Sequence, residues 1–229
     1  MTVVFLGLLG VLIDPDRVRA VMPQAYGRVL AARYGGDADF WAAAVEQVRA
    51  DWDSYYADLD LAGEEGVEAM WEGLFRITRA IFRLAERPEP PKPELTTFAR
   101  QLPAQAFSSV NCAYPDAIHA VHWLNEACAT IPNVFASLSN GQISGLLIGA
   151  DLRQRVGTVM GMEWSERFRH DVSYWQTALL KLNVDPGNGL VIDTLEESIE
   201  GAAAAGMRVF HFARTPSADL SAFVRGVLA

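Results

Sequence analysis

The stretch that decides the fold is VVFLGLLGVLID, residues 3–14. Residues 2–9 form an apolar run with none of the in–out alternation of a strand that has one wet face. Such a run predicts a strand buried on both faces, as in a parallel sheet. Helical spacing follows at once. Val18, Val21, Met22, Ala25, Val29 and Leu30 share one face, and the YGG of residues 34–36 ends the segment.

Two further apolar stripes come next. Trp41, Ala44, Val45, Val48, Trp52 and Tyr55 form one, and Val67, Met70, Trp71, Leu74, Phe75, Ile81 and Phe82 the other. At this spacing they read as core between packed helices rather than as a ligand cavity. ERPEPPKPELT, residues 86–96, is the one evident linker, because its four prolines oppose a continuous helix. A short helix is expected over residues 95–102. Beyond it the texture alternates. NVFASLSN, GTVMGME, GLVIDT and MRVFHF read as strands. AIHAVHWLNEA, ISGLLIGADLRQ, SYWQTALLKL, LEESIEGAAAAG and SADLSAFVRGVL read as helices. Alternation of this kind implies parallel strands with crossover helices. The expected fold is a doubly wound α/β core, residues 1–15 and 103–229, interrupted by a helical block at 16–102. Sites in open α/β sheets lie at the carboxyl ends of strands, here residues 7–10, 137–140 and 193–194.

The 229 residues suffice for one large domain or for a core with an insertion. With 51% hydrophobic and 21% charged residues, a well-buried core is expected. A net charge of −9 opposes nucleic acid as the main partner. Cys112 and Cys128 show neither a CxxC pattern nor a histidine at ligand spacing, so they read as reduced thiols. No apolar run reaches the roughly 18 residues of a membrane span, and no basic leader precedes the first strand. A soluble, cytoplasmic protein is the expectation.

The strand ends carry a resemblance to the haloacid dehalogenase superfamily, in the form with a helical cap inserted after the first strand. Gly10-Val11-Leu12-Ile13-Asp14 matches the tail of the family's first motif, and SLSNG, with Ser139 and Asn140, resembles the second. LVIDTLEESIEGAAAAGM, residues 190–207, resembles the fourth. Arg169, 24 positions before Asp193, takes the place of the third motif's basic residue, with Lys181 a weaker candidate. Several motifs in the family's order make a strong fold signal.

What the resemblance implies for chemistry breaks at three positions. The family's nucleophilic Asp falls on Gly7, its acid/base Asp on Leu9, and a second acid of its fourth motif on Thr194. Glycine cannot form an aspartyl intermediate, and leucine cannot move a proton. Magnesium would be left with Asp193 alone, where the ion prefers an octahedron of oxygens with one or two carboxylates. The reading preferred here is a fold that has lost phosphatase or dehalogenase chemistry and serves as a binding or interaction module. It would use no cofactor, and a small anion at Ser139, Asn140 and Arg169 or a protein would be its partner. Arg169 and Asp193 could equally form a structural ion pair. The alternative is an active hydrolase, with magnesium, whose acids have moved to Asp14 and Asp16. It requires the first strand to run on to Ile13. Asp14 is also in the place of a helix N-cap. His119 and His122 read as a helix-surface pair, His170 as a weak surrogate base, and His211 as a strand-end or core residue. The apolar helical block leaves a homodimer open.

Overall fold

The computed structural model describes residues 2–61 and 65–228. Residues 1, 62–64 and 229, which fall within the ranges expected for core and helical block, lie outside the described residues. Among the described residues, five parallel strands form one sheet in the order β3-β2-β1-β4-β5. These are β1 Val3–Gly7, β2 Asn133–Phe135, β3 Val159–Met160, β4 Gly189–Asp193 and β5 Arg208–His211. The helices between β1 and β2 are α1 Pro15–Tyr34, α2 Ala38–Ala50, α3 Gly66–Leu84, α4 Lys92–Phe107 and α5 Pro115–Ala127. Those that follow are α6 Asn140–Gly149, α7 Val172–Leu182, α8 Glu196–Ala204 and α9 Leu220–Leu228. Among the described residues no helix is long and apolar enough to cross a membrane.

The unalternating apolar strands are explained by two cores, one on each face. Val4 and Leu6 of β1, Val134 of β2, and Leu190 and Ile192 of β4 belong to the larger core, which continues into α1–α6 and α9. Phe5, Phe135 and Val191 point the other way, into a smaller core with Tyr174 and Trp175 of α7 and Ala202 of α8. Successive side chains of a strand face opposite sides, so the central strands β1, β2 and β4 bury apolar side chains on both faces. Trp175 packs edge-on against Phe5 and Phe135, with ring centroids 6.3 and 4.8 Å apart.

Local signals place most helix starts. Pro15 and Pro115 open α1 and α5, where a missing N–H costs nothing. Asp14, Asp37 and Asp171 cap α1, α2 and α7. Three details depart from the sequence reading. β1 stops at Gly7, because Leu12 and Ile13 both donate N–H bonds back to the Leu8 carbonyl and turn the chain. The helix expected over 95–102 runs from Lys92 to Phe107 with Pro103 inside it, so a division between residues 102 and 103 cuts through α4. β3 has only two residues, since the following residues, Met162–Trp164, form a 3-10 turn.

The turn after β1 is tied down by Arg214, which follows β5. Its guanidinium donates to the carbonyls of Gly10 at 3.2 Å and Val11 at 2.6 Å, and to Asp116 Oδ2 at 2.6 Å. It also lies 3.9 Å from the Tyr114 ring centre. Asp116 is itself fixed by the Leu220 N–H. Charge-assisted bonds of this kind are individually worth roughly 1.5–3 kcal/mol, and the group keeps some solvent contact. Arg214→Ala should therefore cost about 2 kcal/mol in urea unfolding. Arg214→Lys should recover little, because an ammonium cannot span three acceptors with the geometry of a guanidinium.

Candidate functional site

The chain adds β2 and β3 on one side of β1, and β4 and β5 on the other. The crevice beyond the carboxyl ends of β1 and β4 is thus the switch point at which such sheets bind ligands. Gly7 and Asp193 end these two neighbouring strands, one step past the paired Leu6 and Ile192.

Asp193 is fully buried, and both its oxygens are engaged. Oδ2 accepts from Arg169 Nη1 at 3.1 Å, and Oδ1 accepts from the Thr194 N–H at 2.8 Å. Burial pushes the Asp193 carboxyl above its ordinary value, against the opposing pull of Arg169 and of the Thr194 and Leu195 N–H groups. Arg169 is 7% exposed. Its carbonyl accepts from Trp175 Nε1 at 2.7 Å, and its guanidinium lies 5.8 Å from the Phe135 ring centre. The spacing of 24 residues thus corresponds to a direct contact.

Gly7 faces this pair. A Cβ on Gly7 would lie 2.3 Å from Asp193 Oδ1, 2.8 Å from its Cγ and 3.2 Å from Val11 Cγ2. The space a side chain would need is filled by the Asp193 carboxylate. Leu9 offers the crevice no titratable group, and its carbonyl accepts from Thr194 Oγ1 at 3.4 Å. Gly10 has φ +83° and packs against Thr194, so glycine is required there. These residues do not fit magnesium. The only carboxylate of the group already holds a guanidinium, which repels a divalent ion. Among the described residues no group of three or more His, Cys, Asp or Glu side chains is placed to hold a metal.

Ser139 and Asn140 stand where the second motif put them, at the start of α6. Ser139 Oγ accepts from the Gln142 N–H at 3.1 Å, and Gln142 Oε1 accepts from the Ser139 N–H at 2.9 Å, a reciprocal capping box. Asn140 Oδ1 accepts from the Gly161 N–H at 2.6 Å, joining the ends of β2 and β3. The Asn140 N–H donates to Glu163 Oε2 at 2.7 Å. A carboxylate of the chain itself thus occupies a donor at this helix N-terminus.

The longer strand needed to bring Asp14 and Asp16 to the crevice does not form. Asp14 is the N-cap of α1, accepting from the N–H groups of Asp16 at 2.9 Å and Arg17 at 3.3 Å. Asp16 is exposed and pairs with Arg19. Lys181 lies over the Trp164 ring and donates to the Trp164 carbonyl. His170 is exposed and stacks on Phe168. His119 is exposed, and His122 lies 4.0 Å from Glu126. His211 ends β5, with Nε2 3.0 Å from the Thr194 carbonyl oxygen. Sequence reasoning missed Glu163, Arg214 and Asp116. Each acts on a partner at least 23 residues away, which no local spacing reveals.

No protein-family profile and no curated protein sequence matches the chain. Solved structures do. The L-2-haloacid dehalogenase PA0810 aligns over 100% of this chain and 99% of its own, with TM-score 0.66 and 12% identity. The L-2-haloacid dehalogenase of Xanthobacter autotrophicus, solved with chloropropionic acid covalently bound, aligns over 95% and 79%, with TM-score 0.53 and 16% identity. A Thermotoga maritima protein designated a β-phosphoglucomutase aligns over 98% and 91%, with TM-score 0.58 and 17% identity. The likeness is one of fold: a parallel α/β sheet with flanking helices, as in the haloacid dehalogenase superfamily.

Proposed function

We propose, from the premise of a haloacid dehalogenase-like fold, that this chain has lost the covalent hydrolase chemistry and acts as a binding or interaction module. The helices of residues 16–102 would serve as the helical cap over the crevice, with α4 continuing past that bound to Phe107. The observation that carries this reading is the Asp193–Arg169 pair packed into the space a side chain at position 7 would need. A nucleophile cannot enter without displacing a buried carboxylate already held from both sides. Ser139, Asn140 and Arg169, expected as anion ligands, are read here as a helix cap, a bridge between strand ends and one half of an ion pair. No metal or organic cofactor belongs to this reading. A cytoplasmic location does, supported by two unpaired cysteines.

Turnover of phosphomonoesters and 2-haloacids with and without magnesium tests it. Loss of a nucleophile typically removes about 10⁴–10⁶ in rate, so activity should be indistinguishable from a heat-inactivated control. Turnover that disappears in Asp193→Ala would overturn the proposal, and turnover abolished by Asp14→Asn would establish the displaced acid pair instead.

A further inference from the structure

Beside the crevice lies a cavity of about 350 Å³, between the 3-10 turn Trp52–Tyr55 with α3 on one side and the turn from β2 to α6 on the other. Trp52, Tyr56, Met70, Leu74 and Leu138 form most of its wall. We propose that it binds a small, uncharged, largely apolar molecule carrying a hydrogen-bond acceptor. The inference deepens the reading of lost chemistry, since a working hydrolase of this fold would demand an anion next door.

The volume is within the range of small-molecule sites, roughly 300–1,000 Å³. Charge then selects the occupant. Among the described residues no Lys, Arg or His lines the cavity, and Asp53 supplies its only carboxylate. An anion would give up part of its water to apolar walls in this open pocket, meet a like charge and gain no cation. Burial pushes the Tyr56 phenol up, so it stays neutral. The donors just outside are already taken, the Asn140 N–H by Glu163 and the Ser139 N–H by Gln142. Gln142 also lines the cavity. Its Oε1 is fixed on Ser139, and its amide nitrogen donates to none of the described residues, which leaves a donor for a neutral acceptor.

The test compares 6-propionyl-2-(dimethylamino)naphthalene, a neutral probe whose ketone oxygen accepts a hydrogen bond, with 8-anilinonaphthalene-1-sulfonate, an aromatic probe of similar size carrying a sulfonate, by fluorescence titration of the full chain. The neutral probe should saturate at one per chain, and the sulfonate should bind at least about tenfold more weakly. Ala57→Trp, placed on an exposed lining residue, should weaken the neutral probe at least about tenfold while the unfolding midpoint stays unchanged. Leu138→Arg should reverse the preference between the two probes. The proposal is overturned by absent or unsaturable binding of the neutral probe, by equal binding of the sulfonate, or by unchanged binding in Ala57→Trp. Phosphomonoester turnover by the wild-type chain would refute the reading of lost chemistry, whereas these binding ratios judge the cavity independently.

Discussion

Arg169→Met should cost about 3–5 kcal/mol in urea unfolding, because it leaves the fully buried Asp193 carboxylate without its cation. The loss should depend on pH with a definite sign. In the variant, burial acts on Asp193 with Arg169 no longer opposing it, so the folded state holds this proton more tightly than the unfolded state, whose carboxyl has its ordinary value near 3.8. The unfolded chain therefore releases the proton first as pH rises. The stability this group contributes is fully present below that ordinary value and is lost as pH climbs through the raised folded value. The deficit relative to wild type should be larger at pH 8 than at pH 5. Unfolding curves at the two pH values check this, and a deficit that grows on acidification would contradict it.

Restoring the family's acid should fail. Gly7 has ordinary extended backbone, so the obstacle to Gly7→Asp is volume and charge rather than conformation. A Cβ alone would sit 2.3 Å from Asp193 Oδ1. The carboxylate cannot swing aside without losing Arg169 and the Thr194 N–H. Gly7→Ala should cost about 1–3 kcal/mol as overpacking. Gly7→Asp adds a second acid against a buried first and should cost at least about 3 kcal/mol more, without producing turnover of phosphomonoesters or 2-haloacids. Denaturation of both variants and the substrate panel check this. A Gly7→Asp protein as stable as wild type would show that the space is open, and a catalytically active one would show that only the nucleophile is missing.

Why some of this was legible in the sequence and some not follows from the range of each interaction. β2, β4, β5 and the helices around them were readable because strand burial, helix period and caps are written within about ten neighbouring residues. Gly7 and Asp193 were legible as strand ends for the same reason, whereas Ser139, read as the end of a strand, lies past β2 as the cap of α6. The extent of α4 was not, since Pro103 reads as a breaker, whereas the helix is held by Leu102, Ala106 and Phe107 packing in the core. The contact of Arg214 with Gly10 spans 204 residues. The bond from the Asn140 N–H to Glu163 joins two turns that only sheet closure brings together. Sequence marks a missing acid at position 7. Only coordinates show that another acid has taken up its room.

The central claim is that the acid remaining at this crevice serves the fold as half of an internal ion pair. The double variant Arg169→Met/Asp193→Asn tests it most directly. Each single substitution strands a buried charge, whereas the double variant strands none and leaves only the neutral amide N–H₂ that replaces Oδ2 without an acceptor. The account predicts that the double variant regains at least about half of the stability lost by Arg169→Met and unfolds within about 2 kcal/mol of wild type. A double variant whose loss equals the sum of the two single losses would contradict it.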